Sequence, residues 1–328
     1  MMSLVPDVSV VLVSFNTRDL LRECLHTVYA QTGVTTEVIV VDNASHDGSA
    51  AMVCEDFPEA HLIASELNLG FAAANNRAME RASGRYTVLL NTDAFLRPGD
   101  LARAVRKMDA NPKAGLAGAR LVGRDGCWQP SARQFPSLTN DLLALTGLSA
   151  KMGKSRFFGK ADRTWADPEV SATVDWVPGA FAIIRREVLE SVGLFDERFF
   201  LYYEEVDLCR RIADAGWQVW YWPELVVVHL GGESSRQLRR LSMSSSGSQL
   251  TLWRMRSALL YYRKHHPLKA WLAMQAESLW HRLRLFRNSM RSGMDARAKV
   301  AESAATVELY RQAWKETRGG RLCPSRPW

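Results

Sequence analysis

Residues 8–16 read Val-Ser-Val-Val-Leu-Val-Ser-Phe-Asn, residues 37–49 read Glu-Val-Ile-Val-Val-Asp-Asn-Ala-Ser-His-Asp-Gly-Ser, and residues 86–93 read Tyr-Thr-Val-Leu-Leu-Asn-Thr-Asp. Each is a short apolar, mostly β-branched run that ends abruptly in hydroxyl, amide and carboxylate side chains. Such runs suit strands buried on both faces. His61–Ala64 is a weaker strand and Ala114–Leu121 a fifth. Segments with helical spacing lie between them: Arg18–Ala30, about Asp47–Asp56, the Ala-rich Phe71–Ala82, and Pro98–Asp109 with proline near its first turn. Strand–helix alternation predicts an α/β fold with a mostly parallel central sheet and helices on both faces. Ligands of open parallel sheets bind beyond the carboxyl ends of the strands. Ser14-Phe15-Asn16, Asp42-Asn43-Ala44-Ser45 and Asn91-Thr92-Asp93 therefore fall on one rim and can share a ligand. Singly, each cluster is also ordinary cap or turn chemistry; at successive strand ends, together, they point to a nucleotide site. No G-x-G-x-x-G follows the first strand and no G-x-x-x-x-G-K-S/T occurs. That disfavours an NAD-dependent oxidoreductase and removes a P-loop enzyme.

Outward from this core, residues 123–170 are rich in Gly, Ser, Lys and Arg with weak periodicity, and read as a functional loop region with short helices. Regular patterning returns at Val174–Val177, Ala180–Ile184, a helix near Glu204–Ala215, and strands Gln218–Trp222 and Leu225–His229. Ser242–Ser248 reads as a hinge before a basic helix, Leu250–His265, and Pro267 opens another. The chain has 328 residues, 47% hydrophobic and 23% charged, an ordinary globular composition that excludes collagen-like and low-complexity classes. The net charge of +7 is unevenly placed. Residues 1–235 carry 23 basic and 30 acidic side chains, whereas residues 236–328 carry 19 and 5, so an acidic body bears a basic tail. The five cysteines are widely spaced without a CxxC pair and read as reduced thiols. No basic leader precedes the apolar run in Met1–Val13, so no signal peptide is expected. No apolar stretch approaches the ~20 residues of a membrane-spanning helix.

The ordered motifs then become specific. Val-Ser-Phe-Asn, Val-Val-Asp-Asn-Ala-Ser-His-Asp-Gly-Ser, Asn-Leu-Gly-Phe-Ala-Ala-Ala-Asn-Asn-Arg-Ala-Met from residue 68, and Leu-Leu-Asn-Thr-Asp-Ala resemble the inverting family 2 glycosyltransferases. The likeness continues through Trp176-Val-Pro-Gly-Ala-Phe, Phe-Asp-Glu-Arg-Phe-Phe, Glu204-Glu-Val-Asp-Leu-Cys-Arg-Arg and His229-Leu-Gly-Gly-Glu-Ser-Ser, across roughly residues 7–265. The nearest subgroup is the bacterial rhamnosyltransferases of cell-wall and surface-polysaccharide assembly. The resemblance implies a GT-A fold over 1–235, with a nucleotide-binding half (1–122) and an acceptor half (123–235), followed by a basic helical extension, 236–328.

It also implies roles. Ser14, Phe15 and Asn16 would line the base and ribose pocket, Asp42 would accept a hydrogen bond from a pyrimidine ring N–H, and Asn68, Gly70 and Asn75 would close over the nucleotide. Asn91-Thr92-Asp93 occupies the family's D-x-D position with Asn first, so Asp93 would bind a divalent ion, Mg²⁺ or Mn²⁺, and Asn91 the ribose. One carboxylate is enough when a diphosphate supplies further oxygens. His229 would be a second metal ligand or a diphosphate contact; a lone histidine after a strand is otherwise a packed core residue. Direct inversion needs a carboxylate base. Glu204, Glu205 and Asp207 open a helix, where acids are also favoured by the dipole, and the family pattern places the base on Glu205. Arg210 and Arg211 would hold these carboxylates or reach a phosphate. Trp176, Pro178 and Gly179 would shape the acceptor pocket, and Arg133 would meet an acceptor pyrophosphate or simply lie on the surface.

The implied reaction moves a sugar, L-rhamnose from dTDP-rhamnose, to a polyprenyl-diphosphate-linked saccharide. The alternatives are a UDP-sugar donor on the same fold, or a catalytically silent nucleotide-sugar-binding scaffold. In the tail, Leu268, Trp271, Leu272, Leu279, Leu283, Phe286 and Met290 form one helical stripe opposite Glu277, His281, Arg284, Arg287 and Arg291. This suits the inner face of an anionic cytoplasmic membrane, with the protein cytoplasmic and peripheral; packing on the body or on a homodimer partner is the alternative. No nucleic-acid-binding module is present in the sequence pattern. Residues 292–328 are expected to be partly disordered.

Overall fold

The computed structural model describes residues 5–231 and 246–324. The predicted boundary at 235/236, most of the Ser-rich hinge and Gly232–Ser235 lie outside the described residues. Among the described residues ten strands form one mixed sheet: β1 (Val8–Ser14), β2 (Thr36–Asn43), β3 (His61–Ser65), β4 (Tyr86–Asn91), β5 (Ala94–Phe95), β6 (Ala114–Val122), β7 (Trp128–Gln129), β8 (Ala172–Val174), β9 (Phe181–Arg185) and β10 (Gln218–His229). Their order is β3-β2-β1-β4-β9-β6-β10-β5, with β7 on β6 and β8 on β10. The first four are parallel, as are β6 and β10. β9 is inserted antiparallel between β4 and β6. The two strands expected over 218–229 are one, broken by a register shift between Trp222 and Val226 where Pro223 interrupts the ladder. The strand expected at 174–177 is shorter and earlier, at β8.

Alternation along β1 divides the core. Val8, Val10 and Leu12 face α1 (Arg18–Tyr29), α2 (Ser49–Asp56) and α4 (Asp100–Ala110), packing on Leu21, Leu25, Met52, Leu101 and Ala104. Val11 faces α3 (Gly70–Met79), α7 (Arg186–Val192) and α8 (Glu204–Asp214), through Ala72, Ala74, Val188 and Leu208. Burial on both faces is why these strands read as unbroken apolar runs rather than alternating ones. Two short helices, α5 (Leu138–Leu145) and α6 (Leu148–Lys151), interrupt the 123–170 region.

Three helices follow: α9 (Ser246–His265), α10 (Pro267–Ser289) and α11 (Met294–Glu316). Most of the stretch after residue 292, expected to be partly disordered, is helical: α11, whose small residues Ala296, Ser303 and Ala313 let Val307 and Tyr310 bury against α9 and α10. Its apolar face is sparse, so periodicity alone did not reveal it. α9 buttresses the catalytic body. Leu260 and Tyr261 pack with Phe199 and Val206, Trp253 lies against Phe200 at 4.6 Å, and the Ser257 hydroxyl donates to the Leu201 carbonyl at 2.8 Å.

Gly70 opens α3 at φ +82, a region that costs other residues strain. A Cβ there would overlap the carbonyl oxygen and ring of Phe200, and Phe71 N–H donates to that same carbonyl at 2.7 Å. Gly70→Ala should therefore lower stability by about 2 kcal/mol or more, read as a fall in thermal unfolding midpoint.

Candidate active site

The strand ends are shaped by backbone torsions that side chains seldom adopt. Asn16 (φ 53) ends the turn after β1 and Ala44 (φ 65) the turn after β2. A hydrogen-bond web holds both. Asn16 N–H donates to Ser45 Oγ at 3.0 Å, and Asn16 Oδ1 accepts from His46 N–H at 2.8 Å. Asp42 Oδ2 accepts from Ser45 N–H at 3.1 Å. Asp42 Oδ1 is buried and has no hydrogen-bond partner. An orphaned buried carboxylate oxygen is costly, and a ring N–H of a ligand would satisfy it. Ser14 is fully buried between Thr17 and Ser49 at 3.2 and 3.4 Å, while Phe15 is partly exposed. Thr17 reaches Thr92 at 2.9 Å, tying the first strand end to the third.

Asp47, which sequence reasoning assigned only to a cap region, links α1 and α2. It accepts from Arg18 N–H at 2.8 Å and from Ser49 N–H at 3.0 Å. Burial works against its charge, but the bonds from Ser49 and Arg18 prevail and its pKa is lowered. Asn68 and Asn43 hold the turn into α3: Asn43 Nδ2 donates to Asn68 Oδ1 at 2.9 Å, and Asn68 Oδ1 also accepts from Gly70 N–H at 2.9 Å. Asn75 is buried and its amide donates to Phe71 O within its own helix at 2.8 Å; that bond belongs to the helix rather than to the rim.

Asp93 and His229 meet because β5 pairs antiparallel with the end of β10, placing His229 opposite Ala94. Leu230 N–H donates to Asp93 O at 3.0 Å. His229 Nε2 lies 3.5 Å from Asp93 Oδ1. Gln129 fixes the ring. Its Nε2 donates to His229 O at 2.8 Å, so its Oε1, 3.0 Å from Nδ1, is the acceptor and Nδ1 carries hydrogen. In the neutral ring Nε2 then presents a lone pair to a carboxylate oxygen. Two acceptors facing one another need a cation or proton between them, and an Nδ1–H held by an amide oxygen is the usual support of a histidine metal ligand. The donor set of one carboxylate and one imidazole thus fits a divalent ion that takes its remaining ligands from a diphosphate and water. Gln129 was missed from the sequence, because its two-residue strand has no periodic signal. Asn91 is partly exposed on the same segment, and its N–H donates to Ala180 O at 3.1 Å.

The three acids of α8 have different fates. Tyr202 and Tyr203 precede it at φ 71 and 70, a strain of ~1–3 kcal/mol each that the packing of α9 must overcome. Glu204 is buried and Glu205 partly exposed, and each leaves one buried carboxyl oxygen without a hydrogen-bond partner. Burial raises both pKa values; the neighbouring Glu205 charge raises Glu204 further, while Arg133 opposes the rise at Glu205. The two carboxyls share a hydrogen bond and titrate as one pair. Arg133 is positioned by a β-bridge to Trp176, stacks over that ring at 5.2 Å and pairs with Asp162 at 2.9 Å. Its Nε is buried without a partner. The structure thus brings Arg133, stacked on Trp176, within electrostatic reach of Glu205. Pro178 is partly exposed, and a Cβ on buried Gly179 would crowd Phe71 at 3.3 Å.

Asp207, by contrast, is committed elsewhere. It is 0% exposed and bonded to Lys264 at 2.7 Å, His265 at 2.8 Å and Arg211 at 2.9 Å. It is the anchor of α9 on α8 rather than a free base, which corrects its place among the catalytic candidates. Arg210 pairs with Asp214 at 3.0 Å, away from the glutamates. Burial opposes the Asp207 charge, but His265, Lys264 and Arg211 outweigh it and lower its pKa. That stabilisation is present above the unfolded value of about 3.9 and is lost as pH falls through the lower folded value. Asp207→Asn should cost about 3 kcal/mol at neutral pH, measured by denaturant unfolding, and the difference from the unsubstituted protein should shrink at acid pH.

The Glycosyl transferase family 2 model matches residues 9–193. The N-acetylglucosaminyl-diphospho-decaprenol L-rhamnosyltransferase of Mycobacterium tuberculosis is 30% identical over 237 residues, 67% of this chain and 75% of that protein. Rhamnosyltransferase WbbL of Escherichia coli K12 is 23% identical over 271 residues, covering 80% of this chain and 94% of its own. Among solved structures, the mannosyltransferase PcManGT from Pyrobaculum calidifontis, in complex with GDP-Man and Mn²⁺, aligns with 97% of this chain and 85% of its own, at a TM-score of 0.52 and 21% identity, which speaks to the fold. A family match over more than half the chain, on a GT-A-like mixed sheet whose strand ends gather these polar groups, makes this chain a glycosyltransferase of family 2.

Proposed function

We propose that the chain is an inverting glycosyltransferase that transfers L-rhamnose from dTDP-rhamnose to a saccharide carried on a polyprenyl diphosphate. The observation that carries the catalytic part is the Asp93–His229 pair, 3.5 Å apart, on the rim that also holds the orphaned Asp42 oxygen. The rhamnosyl group and the lipid-linked acceptor are supported by the mycobacterial relative, an N-acetylglucosaminyl-diphospho-decaprenol L-rhamnosyltransferase.

On this reading Asp42 receives the ring N–H of the pyrimidine, and Ser14, Phe15, Asn16 and Asn91 line the base and ribose. When held by Asp93 and His229, Mg²⁺ or Mn²⁺ supplies charge neutralisation to the departing nucleoside diphosphate. Glu205 takes the proton of the acceptor hydroxyl as that oxygen attacks the anomeric carbon from the face opposite the leaving group, which inverts the centre. The hydrogen bond that Glu204 shares with Glu205 keeps the base oriented. Arg133 and Trp176 present a cation and an aromatic face beside the base, suited to an acceptor that carries both phosphate and sugar rings.

Four outcomes follow from these roles. Asp93→Ala should abolish Mn²⁺-dependent binding of dTDP by titration calorimetry, and Gln129→Leu should weaken it by about 10–100-fold; unchanged affinity in both would remove the assignment. Glu205→Gln should keep donor binding and lose about 10²–10⁴ in turnover. The unsubstituted enzyme should lose kcat/KM as pH falls through an apparent pKa above the ordinary glutamate value of about 4.3, because the base must be ionised and burial raises it.

A further inference from the structure

α10 is turned inside out. Its polar side chains Ser278, His281 and Asn288 are buried, and Glu277 accepts from the Tyr310 hydroxyl of α11. Most of its large apolar side chains, with Met290 just past its end, face solvent: Leu268 is 86% exposed, Trp271 51%, Leu279 57%, Leu283 55%, Phe286 65% and Met290 74%, while Met274 packs inward on α9 and α11. At 100° per residue these lie on one side of the helix, opposite Ala270, His281 and Asn288. The stripe runs the length of the helix, roughly 33 Å at 1.5 Å per residue. A helix exposing its apolar side along its whole length needs a partner.

We infer that this face docks α10 in the plane of an anionic lipid bilayer. Charge selects the occupant. Arg282 and Arg287 are exposed on the two flanks of the stripe, with Arg291 just beyond the helix end. The single acid of α10, Glu277, points inward, and Arg284 is neutralised by Glu302 of α11 at 2.8 Å. The outward face thus combines apolar side chains with cations that pair with no acid among the described residues, the composition of an interfacial helix with Trp at the headgroup level. A second copy laid on the same face would set Arg282 and Arg287 against their like. Residues 142–160 repeat the composition: exposed Leu142, Met152 and Phe157 with Lys151, Lys154 and Arg156, and no acid. This segment begins in α5, which packs directly on α10. The inference deepens the proposed function, since an acceptor on a polyprenyl chain is held in the membrane, but it stands on surface composition alone.

The test is vesicle sedimentation of the full chain, without donor or metal, on phosphatidylcholine alone and on phosphatidylcholine with phosphatidylglycerol. Binding should require the anionic lipid and fall with salt. Leu279→Glu with Phe286→Glu should reduce it at least tenfold, and Arg282→Glu with Arg287→Glu should do the same. All four positions are exposed, so the thermal midpoint should hold, and transfer to a short water-soluble acceptor analogue should be unchanged. Equal sedimentation of variants and unsubstituted protein would overturn the inference. So would a lipid-independent dimer in analytical ultracentrifugation that the Leu279→Glu, Phe286→Glu variant abolishes, since the face would then belong to a second copy. Failure here with transfer to the soluble analogue intact would leave the transferase reading standing.

Discussion

The antiparallel pairing of a two-residue strand, Ala94–Phe95, with the end of a twelve-residue one, Gln218–His229, brings together a carboxylate and an imidazole separated by 136 positions. Each comes from a different half of the chain: Asp93 from the strand-end motifs of the nucleotide-binding side, His229 from the last strand of the sheet. The Gln129 amide bonds both the backbone and the ring of His229, so the lone pair of Nε2 has one direction available. Without that constraint the rim would still be a set of polar strand ends, but the imidazole would not be turned toward the Asp93 carboxylate.

The second constraint is the strained entry to α8. Tyr202 and Tyr203 in left-handed torsions deliver Glu204 and Glu205 together into a low-dielectric corner, where one proton between two carboxyls is the cheap arrangement. Burial raises the pKa of Glu205, and its backbone hydrogen bond and then Arg133 work against that rise. The strain is held by α9, which contributes Lys264 and His265 to Asp207 one turn further along the same helix. Asp207 therefore fixes the position of α8 while Glu205, on a different face of it, does the chemistry proposed. The C-terminal helices are in this sense part of the site's scaffold as well as an appendage.

Much of this was legible in the sequence because its signals are local. Val8–Ser14, Glu37–Val41 and Tyr86–Leu90 are apolar runs closed by polar residues, and strand ends are where ligands sit. The antiparallel insertion of Phe181–Arg185 was not legible, since a run of Phe-Ala-Ile-Ile carries no direction. Nor were Gln129 and the Ala94–Phe95 strand, whose two-residue pairings are created by tertiary contact and have no period to read. That Asp207 is an anchor rather than a base was not legible, because Lys264 and His265, which bind it together with Arg211, lie 57 and 58 residues away. The helix after residue 292 was hidden by small and polar residues on its buried side. The apolar stripe of α10 was plain, but its outward orientation was not: the same periodicity serves a helix packed on a core.

Metal placement is the point on which the catalytic scheme turns. Anomalous scattering from crystals grown with Mn²⁺ and dTDP would locate the ion directly. We expect a single strong peak bonded to the Asp93 carboxylate and His229 Nε2 and bridged to diphosphate oxygens. A manganese peak away from both side chains, or none at a concentration that supports turnover, would contradict the site.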